Sequence, residues 1–100
     1  MAVVPHTYVI NQACRIHILY GDAKGGGHKF GFGHPSKSKF PQHWSDQEIL
    51  NAIIEIANDT NSRATPGWGG RLKITGRWQG LEIVAIVDPS SWSVITGYPA

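Results

Sequence analysis

The sequence predicts an α+β fold in which one main helix packs against a small antiparallel β-sheet. Three observations predict it: a capped amphipathic segment after residue 44, alternating or apolar segments over residues 72–98, and a hydrophobic content of 41%. A chain of 100 residues fits a single domain, and we assign residues 1–100 to it. The formal net charge of +2 permits an anionic partner but does not require one.

The first twenty residues carry weaker signals. Residues 8–10 are consistent with a short strand, whereas the apolar pattern over residues 14–20 leaves helix and strand both open. The N-terminus lacks the basic and apolar regions of a signal peptide, and no apolar stretch approaches the ~20 residues of a membrane span. Cys14 is the single cysteine, so it forms no intramolecular disulfide, and we expect a small, partly buried apolar side chain.

Residues 21–43 are predicted to form a long loop or a loosely paired ribbon. They hold six of the twelve glycines, and Pro35 and Pro41 interrupt any helix. The run Gly25-Gly26-Gly27 loses much backbone entropy on ordering, which indicates that the backbone must lie close to another group. Long loops in compact domains are usually functional, so we expect a site here.

The main helix begins at a capping box, Ser45-Asp-Gln-Glu48, in which each end of the motif caps the other. Apolar residues with helical spacing follow, and the helix is expected to end near residues 58–61. Residues 66–70 are rich in glycine and predict a turn-rich connector to the first strand.

The last part of the chain predicts three antiparallel strands. Residues 72–78 alternate, residues 81–87 are apolar enough for a central strand, and residues 92–98 return after a turn at 88–91. Gln79-Gly80 is typical of a tight hairpin. Thr96 and Tyr98 are two positions apart and should point to one face, in a row with Trp92 and Val94.

Two histidines on either side of the glycine run indicate a site for phosphoryl transfer within RNA. His17 and His28 could act as base and acid, since imidazole titrates near neutral pH. A pentavalent phosphorus intermediate also calls for a cation, which Lys37 or Lys39 could supply, and for backbone amides from the glycine run. We expect the glycines to bring the backbone close to the phosphate. Each of these side chains could instead be an ordinary core or solvated residue.

Two further interpretations concern binding. Thr96 and Tyr98 could clamp a ribose and a base, because tyrosine stacks on bases, or they could be a plain edge-strand pair. A zinc site is a weaker hypothesis. No recognised ligand spacing occurs among the four candidate histidines, which are His17, His28, His34 and His43.

Taken together, four elements resemble the bacterial EndoU endoribonuclease domains. They are His17-Ile-Leu-Tyr-Gly-Asp22, Gly25-Gly-Gly-His28, Lys37-Ser-Lys-Phe-Pro-Gln-His-Trp44-Ser and Ile95-Thr-Gly-Tyr-Pro99. Such domains occur as C-terminal toxin modules of contact-dependent inhibition and other interbacterial effectors. Eukaryotic EndoU proteins and the coronavirus uridylate-specific endoribonuclease are related. The elements occur in the family's order from about residue 15 to the end.

The resemblance implies a His-His-Lys active site formed by His17, His28 and Lys37, with Lys39 as a less favoured lysine. It implies that Thr96 and Tyr98 contact the substrate, and that RNA is cleaved by attack of the 2′-hydroxyl to leave a 2′,3′-cyclic phosphate. No cofactor is required, although manganese stimulation is possible. We expect no metal ligands among the site residues.

The resemblance also implies a biological setting. The chain would be a secreted or delivered effector that acts on tRNA in the cytoplasm of a target cell. A cognate immunity protein would cover the cleft between His17 and His28. The alternatives are a noncatalytic RNA-binding module on the same fold and a small metal-binding structural domain.

Overall fold

The fold is α+β, as the sequence predicts. The computed structural model describes residues 7–100. The elements, in chain order, are helix α1 (Gln12–Leu19), helix α2 (Asp46–Asn58), and strands β1 (Arg63–Pro66), β2 (Leu72–Trp78), β3 (Leu81–Asp88) and β4 (Ser93–Pro99). The four strands form one antiparallel sheet in the order β1-β2-β3-β4. None of the helices in residues 7–100 combines the length and the apolar character needed to span a bilayer.

Helix α1 settles the alternative left open over residues 14–20. The side chain of Asn11 caps its N-terminus by accepting a hydrogen bond from the Cys14 amide at 2.8 Å. The helix ends because Gly21 adopts a left-handed φ of 87° and turns its amide back to the carbonyls of Ile16 and His17. Among residues 8–10, strand pairing is limited to an isolated bridge from Val9 to Ser93, so the short strand expected there is reduced to one pair.

Helix α2 begins and ends where the sequence predicts. Ser45 accepts from the Glu48 amide at 3.1 Å, and the Glu48 carboxylate accepts from the Ser45 amide at 3.2 Å. One face of the helix is buried against the sheet through Ile49, Leu50, Ala52, Ile53, Ile56 and Ala57.

The sheet confirms the three predicted strands, each to within one residue at its ends. Gln79 and Gly80 have φ values of 50° and 78°, as a two-residue hairpin between Trp78 and Leu81 requires. The connector over residues 66–70 is only partly a turn. Pro66 ends strand β1, which the sequence did not predict, and Trp68–Gly70 form a short 3-10 turn.

A bulge in β4 corrects the predicted row of side chains. Pairing with β3 shifts between Ile86 and Val87, which face Thr96 and Val94, so Ile95 is the extra residue. Val94 is therefore fully buried in the core and does not share a face with Thr96. Gly97, the next residue, faces α2, because a Cβ there would lie 2.7 Å from the Ile53 Cδ1.

The sheet thus has two different faces. One packs on α2, and the other, here called the open face, carries Thr96 and Tyr98 at the β4 edge. Residues 21–43, here called the glycine loop, contain no helix and no strand, so of the two predicted forms the loop is confirmed. The glycine loop contributes Phe40 to the core, and the ring of this residue stacks on Trp44 at 5.8 Å between centroids.

Candidate active site

The glycine loop folds back onto the C-terminal end of α1. The amides of Gly27, His28 and Lys29 donate to the carbonyls of His17, Ile18 and Leu19, at 2.9, 2.7 and 3.0 Å. The last carbonyls of a helix have no partner within the helix, so the loop satisfies them. This pairing places His28 directly beside the turn that carries His17.

The glycines allow this close approach. A Cβ on Gly26 would lie 2.0 Å from the His17 carbonyl oxygen, and one on Gly27 would lie 2.6 Å from the Gly33 Cα. Both have positive φ, which other residues rarely adopt. The predicted close approach of the backbone therefore occurs, but to a different group. Gly26 lies against the end of α1 and Gly27 against Gly33, whereas we expected both to lie against the phosphate of a substrate.

The structure brings all five predicted site residues to one cleft. The cleft has a volume of ≈ 370 Å³ and is lined by His17, Lys24, Gly26, His28, Ser36, Lys37, Ser38, Thr96 and Tyr98. An adjoining hollow of ≈ 340 Å³ shares His17, Lys24 and Thr96 and adds Arg71 from the start of β2. The sequence did not single out Lys24 or Arg71, because lone surface cations carry no motif.

His28 is held in one tautomer. Only 7% of the residue is exposed, and its Nδ1 lies 2.8 Å from the Ser38 carbonyl oxygen, which can only accept. Nδ1 therefore carries the proton, and Nε2 keeps the lone pair. Burial lowers the pKa of His28 below its ordinary value of 6.5. The hydrogen bond to Ser38 raises this pKa in part, and the charges of Lys39, Lys37 and His17 lower it again.

His17 has a carboxylate partner. Its Nδ1 lies 3.0 Å from Oδ1 of Asp22, which also accepts from the Lys24 amide at 2.9 Å. The hydrogen bond from His17, followed by that from Lys24, lowers the pKa of Asp22, so this carboxyl is ionised at neutral pH. Asp22 is fixed by a tight turn in which it exchanges backbone hydrogen bonds with Gly25. The sequence contained Asp22 in the quoted motif but did not assign it this role.

The two candidate lysines have different surroundings. Lys39 donates from Nζ to the carbonyl oxygens of Gly27, at 2.5 Å, and Phe32, so it holds the glycine loop together. Lys37 lines the cleft beside both histidines, and its Nζ lies 3.7 Å from where a Cβ on Gly25 would be. Within residues 7–100 the Lys37 ammonium has no hydrogen-bond or ion-pair partner. Lys37 is therefore the lysine that is available to a ligand.

Thr96 and Tyr98 lie on the same face, as predicted. The ring of Tyr98 lies 5.5 Å from that of His28, tilted by 31°. The hydroxyl of Thr96 is buried and has no hydrogen-bond partner among the described residues. Because buried polar groups are rarely left unpaired, Thr96 is suited to bond a ligand in the cleft.

A polar cluster fastens the glycine loop to α2. Lys29 pairs with Asp46 in the first turn of α2, and the Tyr20 hydroxyl donates to the same carboxylate at 2.6 Å. The Lys29 hydrogen bond, followed by that of Tyr20, lowers the pKa of Asp46. The ring of Phe32 packs edge-on against Tyr20 at 4.9 Å.

Metal ligands do not converge in the part of the chain that the structure describes. No three side chains of His, Cys, Asp or Glu in residues 7–100 lie close enough together to hold an ion. His34 instead bonds through Nδ1 to the hydroxyl of Ser36 at 2.7 Å.

Comparison with known proteins identifies the family. The family model for the bacterial EndoU nuclease matches residues 33–100. The match includes Lys37, Thr96 and Tyr98, whereas His17 and His28 precede it. Comparisons with curated proteins and with solved structures returned no significant match. The family match covers more than half of the chain and includes two of the four sequence elements, those that begin at Lys37 and Ile95, and the chain therefore belongs to the bacterial EndoU nuclease family.

Proposed function

We propose that this nuclease is an endoribonuclease that cleaves RNA through its own 2′-hydroxyl. The observation that carries the proposal is the cleft in which two imidazoles, the Lys37 ammonium and the buried, unpaired Thr96 hydroxyl face the same space. In the reaction, the 2′-oxygen bonds to phosphorus and the bond to the 5′-oxygen breaks. The products are a 2′,3′-cyclic phosphate and a free 5′-hydroxyl.

His28 is the general base in this proposal. Its Nδ1–H is engaged by Ser38, so Nε2 is free to accept the proton of the 2′-hydroxyl. Burial holds its pKa below 6.5, and the ring is therefore neutral at physiological pH, as a base must be.

His17 is the general acid. The Asp22 carboxylate accepts from Nδ1–H, which fixes the orientation of the ring. In this proposal the ring enters the reaction with a second proton on Nε2. Nε2–H can then protonate the departing 5′-oxygen. The role of Asp22 parallels the carboxylate that orients the histidine of a serine-protease triad.

Lys37 stabilises the charge that develops on the phosphoryl oxygens. Its ammonium needs no rearrangement, since no described group holds it elsewhere. Such preorganised donors contribute most when they are aimed at charge formed in the transition state. Thr96 and Tyr98 contact the sugar and the base, with the phenol ring placed to stack beside His28.

The biological proposal is an interbacterial toxin that acts on tRNA in the target cytoplasm and is restrained by an immunity protein. Membership of the bacterial EndoU nuclease family supports it. The cations that line the cleft and the adjoining hollow, Lys24, Lys37 and Arg71, suit an immunity protein with an acidic contact face.

Total tRNA and matched DNA test the chemistry. Purified protein should cut tRNA, in EDTA or with added Mn²⁺, and leave 2′,3′-cyclic phosphate ends, while DNA stays intact because it lacks the 2′-hydroxyl. Cleavage of DNA, or 3′-hydroxyl ends on RNA, would contradict the mechanism. Binding of tRNA without cleavage under every metal condition would favour the noncatalytic RNA-binding alternative.

The toxin role needs a separate test. Expression of the chain in bacteria should arrest growth, and a small acidic protein encoded in the neighbouring reading frame should restore it. Normal growth with the active protein present in the cytoplasm would contradict the toxin proposal and leave the chemistry untouched.

A further inference from the structure

The register of the sheet extends the open face far beyond the cleft. In an antiparallel sheet, residues directly opposite each other point to the same face. Two rows therefore start at the substrate-contacting residues of β4 and cross the sheet to β1. One row is Thr96, Ile86, Lys73 and Thr65, and the other is Tyr98, Val84, Thr75 and Arg63.

Each row contains one cation, Lys73 on β2 and Arg63 on β1. Lys73 lies two strand spacings from Thr96, about 10 Å, and Arg63 lies three spacings from Tyr98, about 14 Å. Both are exposed, and no carboxylate of residues 7–100 forms an ion pair with either. Arg63 also lines an open hollow of ≈ 300 Å³ together with Arg77 and Glu82.

Cations predominate in this part of the chain. Residues 60–81 contain Arg63, Arg71, Lys73 and Arg77 and no aspartate or glutamate, and Glu82 on β3 is directly opposite Arg77. Arg71 has extended backbone just before β2, two positions from Lys73, so the two side chains point to the same face. Arg71 also lines the hollow that contains His17 and Thr96. Cations therefore continue from the cleft along β2 and onto β1.

We propose that the open face of β1 and β2 binds the RNA backbone on one side of the cleavage site. Lys73 and Arg63 contact phosphates beyond the scissile one, and Arg71 connects this surface with the cleft. The surface is continuous with Thr96 and Tyr98, which favours the RNA strand as its occupant over an acidic protein. The inference rests on the proposed function in one respect, that RNA is what enters the cleft.

Salt-dependent binding of a probe that cannot be cut tests this surface. The probe is a fluorescent 20-nucleotide RNA of mixed sequence with 2′-O-methyl groups throughout, measured by anisotropy at several salt concentrations. Each phosphate contact contributes about 0.7 to the slope of log affinity against log salt on a single strand. K73Q and R63Q should each lower the slope by about 0.7 and weaken binding at 0.1 M salt about fivefold, and the double variant about 25-fold.

Arg15→Gln is the matched control. Arg15 is exposed on α1, away from the sheet, and its charge helps to lower the pKa of Asp46. Removing one positive charge there should leave the salt slope near that of the wild type. Lys73→Arg keeps the charge and should keep the slope. The proposal is overturned if K73Q and R63Q bind like the wild type, if R15Q loses as much, or if Lys73→Arg loses as much as K73Q.

Failure of this inference can be separated from failure of the proposed function. The probe has no 2′-hydroxyl to react, so its binding does not depend on cleavage. If the wild type cuts tRNA but K73Q and R63Q bind the probe as the wild type does, the proposed surface alone is refuted. A protein that binds the probe as expected but leaves tRNA uncut refutes the nuclease mechanism alone.

Discussion

The sheet and the glycine loop reach order in different ways. Strands β2 and β3 are held by a repeating ladder over seven residue pairs, and many apolar side chains share the packing on α2. The glycine loop has no such repeat, and single contacts hold it: three amides on the end of α1, the Lys39 ammonium on two carbonyls, and Asp46 on Lys29. Many small contacts therefore stabilise the sheet, whereas a few individual hydrogen bonds and one ion pair stabilise the loop.

The difference shows where changes should affect chemistry and where they should affect stability. Lys37 and His28 lie in the glycine loop, and His17 lies where the loop meets α1. A small displacement of the loop moves reacting groups, whereas a small displacement in the far strands does not. The four predictions that follow test this contrast, from the largest expected effect to the smallest.

The two lysines should separate catalysis from loop structure. Lys37→Met should lower kcat about 100- to 1,000-fold with little change in Tm, because it removes only an unpaired cation facing the phosphate. Lys39→Met should lower the free energy of unfolding by about 1–3 kcal/mol, since two carbonyls lose their partner. Steady-state cleavage and urea unfolding measure these effects. If a fully folded Lys39→Met lost more kcat than Lys37→Met does, Lys39 would be the catalytic lysine.

Two glycines with similar φ values, Gly26 and Gly31, separate the effect of the close contact with His17 from the effect of backbone strain. Gly26→Ala should lower kcat about 100-fold, because its Cβ would lie 2.0 Å from the His17 carbonyl oxygen and must push the histidines apart. Gly31→Ala has a φ of 88° but meets nothing within 4 Å, so only strain of about 1 kcal/mol is expected, with normal kcat. Equal loss of activity in both variants would mean that backbone strain, and not the contact with His17, explains the glycine run.

Much of the fold could be predicted because its signals are local. The Ser45–Glu48 capping box, the alternation of residues 72–78 and the Gln79-Gly80 turn each depend on a few neighbours in the chain. Strand β1 could not be predicted, because all four of its residues are exposed and leave no alternating pattern. The bulge at Ile95 was also missed, since it is defined only by pairing with β3.

The candidate site divides in the same way. The residue types and their order pointed to His17, His28, Lys37, Thr96 and Tyr98, and the cleft contains all of them. The partners of these residues could not be predicted. Ser38 reaches His28 through a backbone carbonyl, which has no signature in the sequence, and Lys39 bonds across the loop to Gly27.

A glycine in the sheet should affect stability and spare the chemistry. A Cβ on Gly76 would lie 2.8 Å from the Ile56 Cδ1, so Gly76→Ala should cost about 1–3 kcal/mol through overpacking. Cleavage by the folded protein should stay near the wild-type rate. Adding Ile56→Val removes the Cδ1 methyl and should restore part of the loss, as urea unfolding can measure. A severe drop in kcat for folded Gly76→Ala would contradict the separation of the two regions.

The burial of His28 should give a small pH effect on stability. Its folded pKa lies below 6.5, so as the pH falls through 6.5 the unfolded chain binds the proton first. Stability is therefore highest above pH 6.5 and declines from there toward the lower folded pKa. In His28→Asn, whose side-chain amide nitrogen takes the position of Nδ1 and can still donate to Ser38, the free energy of unfolding should decline less between pH 7.5 and 5.5. An identical decline in both proteins would refute this environment for His28.

A substrate with sulfur in place of the bridging 5′-oxygen tests the central claim, that His28 removes a proton and His17 donates one across a single phosphate. A thiolate leaves without protonation, because thiols are far more acidic than alcohols. His17→Ala and His28→Ala should both cut ordinary RNA very slowly. On the sulfur substrate, His17→Ala should regain nearly the wild-type rate while His28→Ala stays slow. Recovery of His28→Ala instead, or of neither variant, would contradict the assignment of base and acid.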